Sequence, residues 1–254
     1  MPTESPERPL VLVLGGTAEA AELAARLAAD GRVVPLLSLA GRTRAPRAPD
    51  VRLRVGGFGG AIGLAGFLRA HGVARLVDAT HPYAAHMARN ARDGCAAADV
   101  PRLKLLRPGW TGRPGDRRHY ADDPEVLAKT AAALGRHAFV AAGHSVLEAF
   151  RARTDLRALV RTIEPTDAAL PPHMAWLQGR GPFRVEDEIA LFRRAGIDVV
   201  VAKDSGGAGA YAKIEAARTL GLPAVFLARP APPEGPAVPD VERAFSWAVG
   251  QASA

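Results

Sequence analysis

With 254 residues, the chain is long enough for two compact domains of roughly 100–130 residues each. Hydrophobic residues make up 48% and charged residues 23%, ordinary for a soluble globular enzyme, and Lys plus Arg (33) exceed Asp plus Glu (26) to leave +7. No dense basic run interleaved with aromatics occurs, which argues against nucleic acid; the excess reflects either an Ala/Arg/Pro-rich bias or attraction of a polyanionic ligand.

A single cysteine, Cys95, lies in an alanine-rich helical stretch, so neither an internal disulfide nor a cysteine metal site can form. The opening MPTESPERP has no basic region ahead of an apolar one and does not read as a signal peptide. No apolar run approaches the ~18 residues of a membrane span. These features predict a cytoplasmic protein without membrane partners.

The elements alternate from the start. LVLVL (Leu10–Leu14) predicts a strand, followed by a helix from Ala18 to Ala29 and a second strand in RVVPLLSLA, ending near Ala40. VRLRV (Val51–Val55) is a short strand running into GGFGG, and Ile62–Ala70 a helix. ARLVDAT, AAHMARNARDGCAAAD and PRLKLL continue as strand, helix and strand. RPGWTGRPGDRR (Arg107–Arg118) breaks the pattern with Pro and Gly and reads as a linker.

The second half repeats the alternation. Strands are predicted in HAFVAAG, LRALVRTI, HMAWLQG, IDVVVAKDS and PAVFLA, and helices in PEVLAKTAAAL, SVLEAFRAR, VEDEIALFRRAG and AYAKIEAARTLG. A proline-rich connector, RPAPPEGPAVPD, precedes a last helix, VERAFSWAVG. Apolar strands separated by helices imply parallel sheets with right-handed crossovers. The predicted fold is α/β: two Rossmann-like domains, 1–108 and 109–254, with parallel sheets facing across a central cleft.

In such sheets ligands bind beyond the carboxyl ends of the strands, and four loops fall there. In Gly15-Gly16-Thr17 the G-x-G-x-x-G fingerprint is incomplete, because Thr17 takes the second glycine's place and Ala20 the third's. The glycines still allow close backbone approach, and the Thr17 hydroxyl can donate to phosphate or cap the helix. After the second strand, SLAGRTRAPRAPD carries Arg42, Thr43, Arg44 and Arg47 where a ribose-selecting acid normally stands. Arginine there pairs with a 2′-phosphate, so the two loops together favour NADP(H) over NAD(H); a solvated basic loop is the plainer reading.

The third loop, DATHPYAAH, gathers Asp78, Thr80, His81 and Tyr83 at a strand end. Helix capping by Thr80 or His81, with Pro82 in the first turn, explains part of it. The fourth, VAKDSGGAGAYAK, combines Lys203, Asp204, Ser205, Gly206, Gly207 and Lys213 into a candidate anion site, although Ser-Gly-Gly is commonly only a turn. No His/Glu metal constellation, G-x-S-x-G elbow or Walker lysine appears. Hydride transfer needs none of them, since the cofactor carries the hard step.

Taken in order, LGGTAEA, SLAGRT, RVGGFGG, DATHPYAAH, RP-x-W (Arg107, Pro108, Trp110) and KDSGGAGAYAKIEAARTLGLPAVFLARP resemble the precorrin-6A reductase family of cobalamin biosynthesis. The motifs span nearly the whole chain; the stretch from Arg136 to Arg184 is the least diagnostic. The resemblance implies an NADPH-dependent reductase that adds hydride and a proton across one double bond of precorrin-6A, giving precorrin-6B. It assigns Gly15, Gly16 and Thr17 to the pyrophosphate and Arg42 with Thr43 to the adenosine phosphate. His81, Pro82 and Tyr83 would flank cofactor or macrocycle, and Lys203 to Gly207 the facing wall, with Lys203 and Lys213 as rim cations for the carboxylates. His81, Tyr83 and Asp204 are candidate proton donors on chemistry alone, and solvent is a further source. Two other classes remain open: a nucleotide-sugar transferase, which an acid in place of Arg42 and a metal-binding carboxylate pair would favour, and an NADP(H)-binding sensor or nucleic-acid-associated module.

Overall fold

A computed structural model describes residues 8–41, 50–163 and 169–251. Arg42, Thr43, Arg44 and Arg47 lie outside the described residues. In chain order, the elements of the first part are β1 (Leu10–Leu14), α1 (Ala18–Asp30), β2 (Val34–Leu39), β3 (Arg52–Val55), α2 (Gly60–Ala70), β4 (Val73–Asp78), α3 (Ala85–Ala98) and β5 (Arg102–Leu105). Next come β6 (Arg117–Ala121), α4 (Pro124–Leu134), β7 (His137–Ala141), a 3₁₀ turn (His144–Val146), α5 (Leu147–Arg151), β8 (Arg157–Thr162) and β9 (Met174–Gln178). The chain then forms α6 (Val185–Ala195), β10 (Val199–Lys203), α7 (Ala212–Thr219), β11 (Pro223–Leu227), β12 (Ala237–Val238) and α8 (Val241–Ala248).

The chain divides into two compact units, one of Met1–Arg107 with Pro230–Ala254 and one of Pro108–Arg229. This corrects the sequence-based boundary, which left the C-terminal segment in the second domain. The cause is packing: β12 pairs with β5, and Val241, Ala244 and Ala248 of α8 join the core made by Leu23 and Leu27 of α1.

The first unit holds a six-stranded parallel sheet in the order β3-β2-β1-β4-β5-β12. Successive side chains of a strand point to opposite faces, so β1 serves two cores. Val11 and Val13 pack with α1 and α8, whereas Leu12 and Leu14 pack with Leu64, Leu68 and Cys95 of α2 and α3. A Cβ on Gly94 would stand 3.0 Å from Ala61 O, so a glycine lets α3 press against α2.

The second unit repeats the plan with β9-β8-β7-β10-β11-β6, again all parallel. Phe139, Phe192, Val200, Ile214 and Phe226 form a core on one face of this sheet. In chain order the first sheet therefore follows 3-2-1-4-5-6; the second shares the spatial plan, but its outer place beside β11 is taken by β6, which precedes β7 in the chain. Two strands run through stretches predicted as loops: β6 begins inside the expected linker, and β12 lies inside the proline-rich connector. Among the described residues, no helix is long and apolar enough to cross a membrane.

Candidate functional site

At the carboxyl end of β1, the two glycines do different work. Gly15 N–H donates to Ser38 O at 2.8 Å, and a Cβ there would stand 2.7 Å from Leu37 Cδ1 and 2.9 Å from Leu39 Cδ2. Gly15 is thus required by the approach of β1 to β2. Gly16 has φ +107°, a backbone state that L side chains rarely adopt, and nothing stands within 4 Å of where its Cβ would be. It leaves an open backbone face directly ahead of α1.

Thr17 caps that helix, its Oγ1 accepting from Ala20 N–H at 3.1 Å. The same hydroxyl donates to Ala79 O at 2.8 Å, tying the β1 loop to the β4 loop. Of the two expected uses of this hydroxyl, capping is the one the structure displays. A shallow depression beside it is lined by Thr17, Glu19, Thr80, Pro82, Leu105 and Arg107. Arg107 donates to Glu19 Oε2 at 2.7 Å, placing a guanidinium next to the first turn of α1.

Beneath the β4 loop sits a charged group that the sequence reading passed over. Lys104 Nζ lies 3.0 Å from Asp78 Oδ1 and donates to Thr80 O (3.2 Å) and Thr80 Oγ1 (3.1 Å). Lys104 is 3% exposed and Asp78 fully buried. Burial pulls the lysine below its ordinary pKa, and the Asp78 carboxylate opposes that shift. Thr80 donates to Asp78 Oδ1 through both its N–H (3.1 Å) and its hydroxyl (2.6 Å). A lysine between the leucines of PRLKLL is itself a signal, because a buried ammonium needs an anion on a neighbouring strand.

Farther along this loop, His81 Nδ1 accepts from Tyr83 N–H at 3.2 Å, and the two rings lie 5.6 Å apart. Ala84 N–H closes the turn onto His81 O at 2.8 Å. Neither Thr80 nor His81 caps α3, whose first position follows Ala84 with no side-chain cap. Pro82 stands in the turn ahead of the helix, not in its first turn.

The fourth loop belongs to the second unit, where it clasps the Pro108–Trp110 segment. Asp204 Oδ1 accepts from Trp110 N–H (2.9 Å), Trp110 Nε1–H donates to Gly207 O (2.7 Å), and Arg229 Nε donates to Asp204 O (2.5 Å). Gly206 and Gly207 have φ +66° and +69°, and a Cβ on Gly206 would stand 2.1 Å from Pro108 O. Gly206 is needed by this close approach, Gly207 by its left-handed backbone, and the Asp204 carboxylate takes part in the clasp. Ser205 N–H turns back onto Lys203 O at 2.8 Å.

Lys213 is placed differently from the expectation of a rim cation. It is 6% exposed, its Nζ donates to Ala210 O at 2.5 Å, and it stands 5.4 Å from the Trp110 ring centre. Burial pushes its pKa down to about 7, helped by Arg161 and opposed by Glu188. Arg161 and Glu188 form their own buried bidentate pair at 2.5 and 2.7 Å. A buried ammonium cannot serve as a surface cation for a large ligand, so Lys213 belongs to the interior of this unit.

The family model for precorrin-6x reductase CbiJ/CobK matches residues 10–249. The chain belongs to that family. A precorrin-6A reductase of Rhodococcus erythropolis is 47% identical over 93% of this chain and 96% of its own length. One from Sinorhizobium sp is 42% identical over 96% of this chain and 94% of its own. Among solved structures, CobK precorrin-6A reductase superposes with a TM-score of 0.89 at 39% identity, covering 96% of this chain and 98% of that one. The resemblance carried by the ordered loop motifs is borne out, and so is the α/β architecture of two parallel sheets.

Proposed function

We propose that this member of the precorrin-6x reductase family is a cytoplasmic enzyme of cobalamin biosynthesis that reduces precorrin-6A to precorrin-6B with NADPH. The observation that supports the reading most is the open, positive-φ Gly16 turn at the carboxyl end of β1, directly ahead of the Thr17-capped α1. In a 3-2-1-4-5-6 sheet, a dinucleotide pyrophosphate lies at this point, against main-chain N–H groups and the positive end of the helix dipole. The residues fit such a group: Gly16 leaves room, the helix start offers donors, and the Arg107 guanidinium lies beside the first turn.

When bound there, NADPH supplies a hydride to one carbon of a ring double bond, and a proton reaches the neighbouring carbon. The chain's own part is to hold the two reactants in register. Thr17 and the Asp78–Lys104–Thr80 cluster fix the β1 and β4 loops, and the turn from His81 to Tyr83 flanks the nicotinamide end. Arg42 and Thr43 take the adenosine 2′-phosphate. In the second unit, Lys203 and the Asp204–Gly207 loop take the polycarboxylate macrocycle. Solvent delivers the proton, in keeping with an Asp204 carboxylate already engaged by Trp110.

The cofactor assignment is tested by Arg42→Ala. Loss of a charge-assisted contact with phosphate costs about 1.5–3 kcal/mol, or roughly 10- to 150-fold in Kd. NADPH affinity falls by that factor, whereas NADH affinity is unchanged. Equal losses for both nucleotides would refute the role of Arg42.

A further inference from the structure

The loop after β10 carries an exposed stretch, Gly207 to Gly209, between Gly206, which is buried, and Ala210, which is half-buried. Exposed main chain of this kind keeps one shape only where it is fastened from below. Three fastenings are present, all within the second unit. Trp110 Nε1–H donates to Gly207 O at 2.7 Å. Gly209 O packs on the segment after β9, where a Cβ on Gly181 would stand 2.9 Å from it. Lys213, in the first turn of α7, reaches back to the loop that precedes its own helix, and its Nζ donates to Ala210 O at 2.5 Å.

Of the three, the lysine is the costly one. It is buried, with its pKa pushed down to about 7, and the acid whose charge it feels, Glu188 of α6, is already held by Arg161 of β8 in a bidentate pair. A methionine of similar length would fill the same space with no ammonium to desolvate. What methionine would not supply is a donor for Ala210 O. The amine also stands 5.4 Å from the centre of the Trp110 ring, the same ring that fastens Gly207. Lys213 and Trp110 thus lie side by side and grip the two ends of the exposed stretch.

We infer that Lys213 is a positioning residue for the macrocycle, holding the main chain of Gly207–Ala210 in the shape that receives it without itself touching the ligand. The inference rests on the assignment of the macrocycle to the second unit. It replaces the rim-cation role expected from the sequence with one exerted through a carbonyl of the loop.

The test uses the full chain and reads kcat, KM for precorrin-6A and Kd for NADPH in three variants. Lys213→Met removes the donor and keeps the length. Its KM rises about tenfold while kcat and NADPH Kd stay within about twofold, the pattern of lost binding that ground and transition states share. Lys213→Gln keeps an uncharged N–H donor on a shorter side chain and recovers part of that rise. Filling of space alone would give the reverse order, because glutamine suits a buried apolar site less well than methionine. Ala208→Asp, at an exposed position of the stretch, tests the underlying assignment: its carboxylate repels the acidic side arms of the substrate, and the resulting rise in KM shrinks in high salt. A raised KM in Ala208→Asp with an unchanged KM in Lys213→Met overturns the positioning role alone. A KM in Lys213→Gln no lower than in Lys213→Met overturns it as well, as does a loss of NADPH binding in Lys213→Met. An unchanged KM in Ala208→Asp overturns the assignment of the macrocycle to this loop, and the positioning role with it.

Discussion

Removing the ammonium from the buried cluster under the β4 loop has a calculable consequence. In Lys104→Met the strand keeps a side chain of similar length and loses three contacts of 3.0–3.2 Å, to Asp78 Oδ1, Thr80 O and Thr80 Oγ1. Asp78, fully buried, is left with the N–H and hydroxyl of Thr80 on Oδ1, and its Oδ2 has no hydrogen-bond partner among the described residues even before the change. Breaking a buried pair in this way costs about 3–5 kcal/mol, a large share of the roughly 5–15 kcal/mol that holds a folded protein together. Adding Asp78→Asn removes the stranded charge while preserving an acceptor for Thr80, so the double variant recovers much of the loss. Urea unfolding followed by circular dichroism measures both. Because the same ammonium anchors the Thr80 carbonyl, the single variant also binds NADPH more weakly, with the preference over NADH unchanged. A loss below about 1 kcal/mol, or a double variant no more stable than the single one, would refute the reasoning.

Two further outcomes follow from buried titratable groups. Lys213 has a pKa near 7 in the folded chain, facing Arg161 and Glu188, against roughly 10.4 when unfolded, so the unfolded state binds more protons between these values. Wild-type stability relative to Lys213→Met therefore rises with pH across that window, by up to about 1.4 kcal/mol per pH unit, and is lost as pH falls through 7; a flat difference from pH 6 to 9 in urea titrations would contradict this. Burial raises the Cys95 thiol to about 11, so a thiol reagent at pH 8 modifies it only on unfolding, and rapid labelling of the native chain would contradict that placement.

The predicted strands that the structure retains are short apolar or alternating runs. The two strands missed in the sequence, β6 and β12, both occupy the sixth place of their sheets, and the same physics hid both. β6 reads RRHYA and takes an outer position on β11, where only Ala121 is buried. β12 is two residues long, Ala237 and Val238, between prolines, paired only with β5. An edge position buries too little to impose an apolar pattern. The helix α8 was visible as an amphipathic pattern, but a pattern says which face is buried and not against which sheet. Its assignment to the first unit depends on Val241 and Ala244 meeting α1, more than 200 residues away in sequence.

The candidate site divides along the same line. The Gly16 turn, the cap at Thr17 and the clustering of His81 with Tyr83 arise within a few residues of chain, where turn and capping chemistry can be read directly. The commitments of the polar groups cannot be read in that way, because their partners are distant in sequence. The Thr17 proton goes to Ala79, the Asp204 carboxylate to Trp110, and the Lys213 ammonium to the interior beside Trp110. Burial withdraws Lys213 from the rim, and Thr17 and Asp204 each have a partner that the local pattern does not show. The opposite error occurred at Lys104, which looked like one residue of a strand and is the cation under the loop nearest the proposed nucleotide. In both directions the deciding quantity is burial: an ionisable group enclosed by a parallel sheet must be paired within the protein. The group proposed to meet the nucleotide is instead main chain, at the open Gly16 turn.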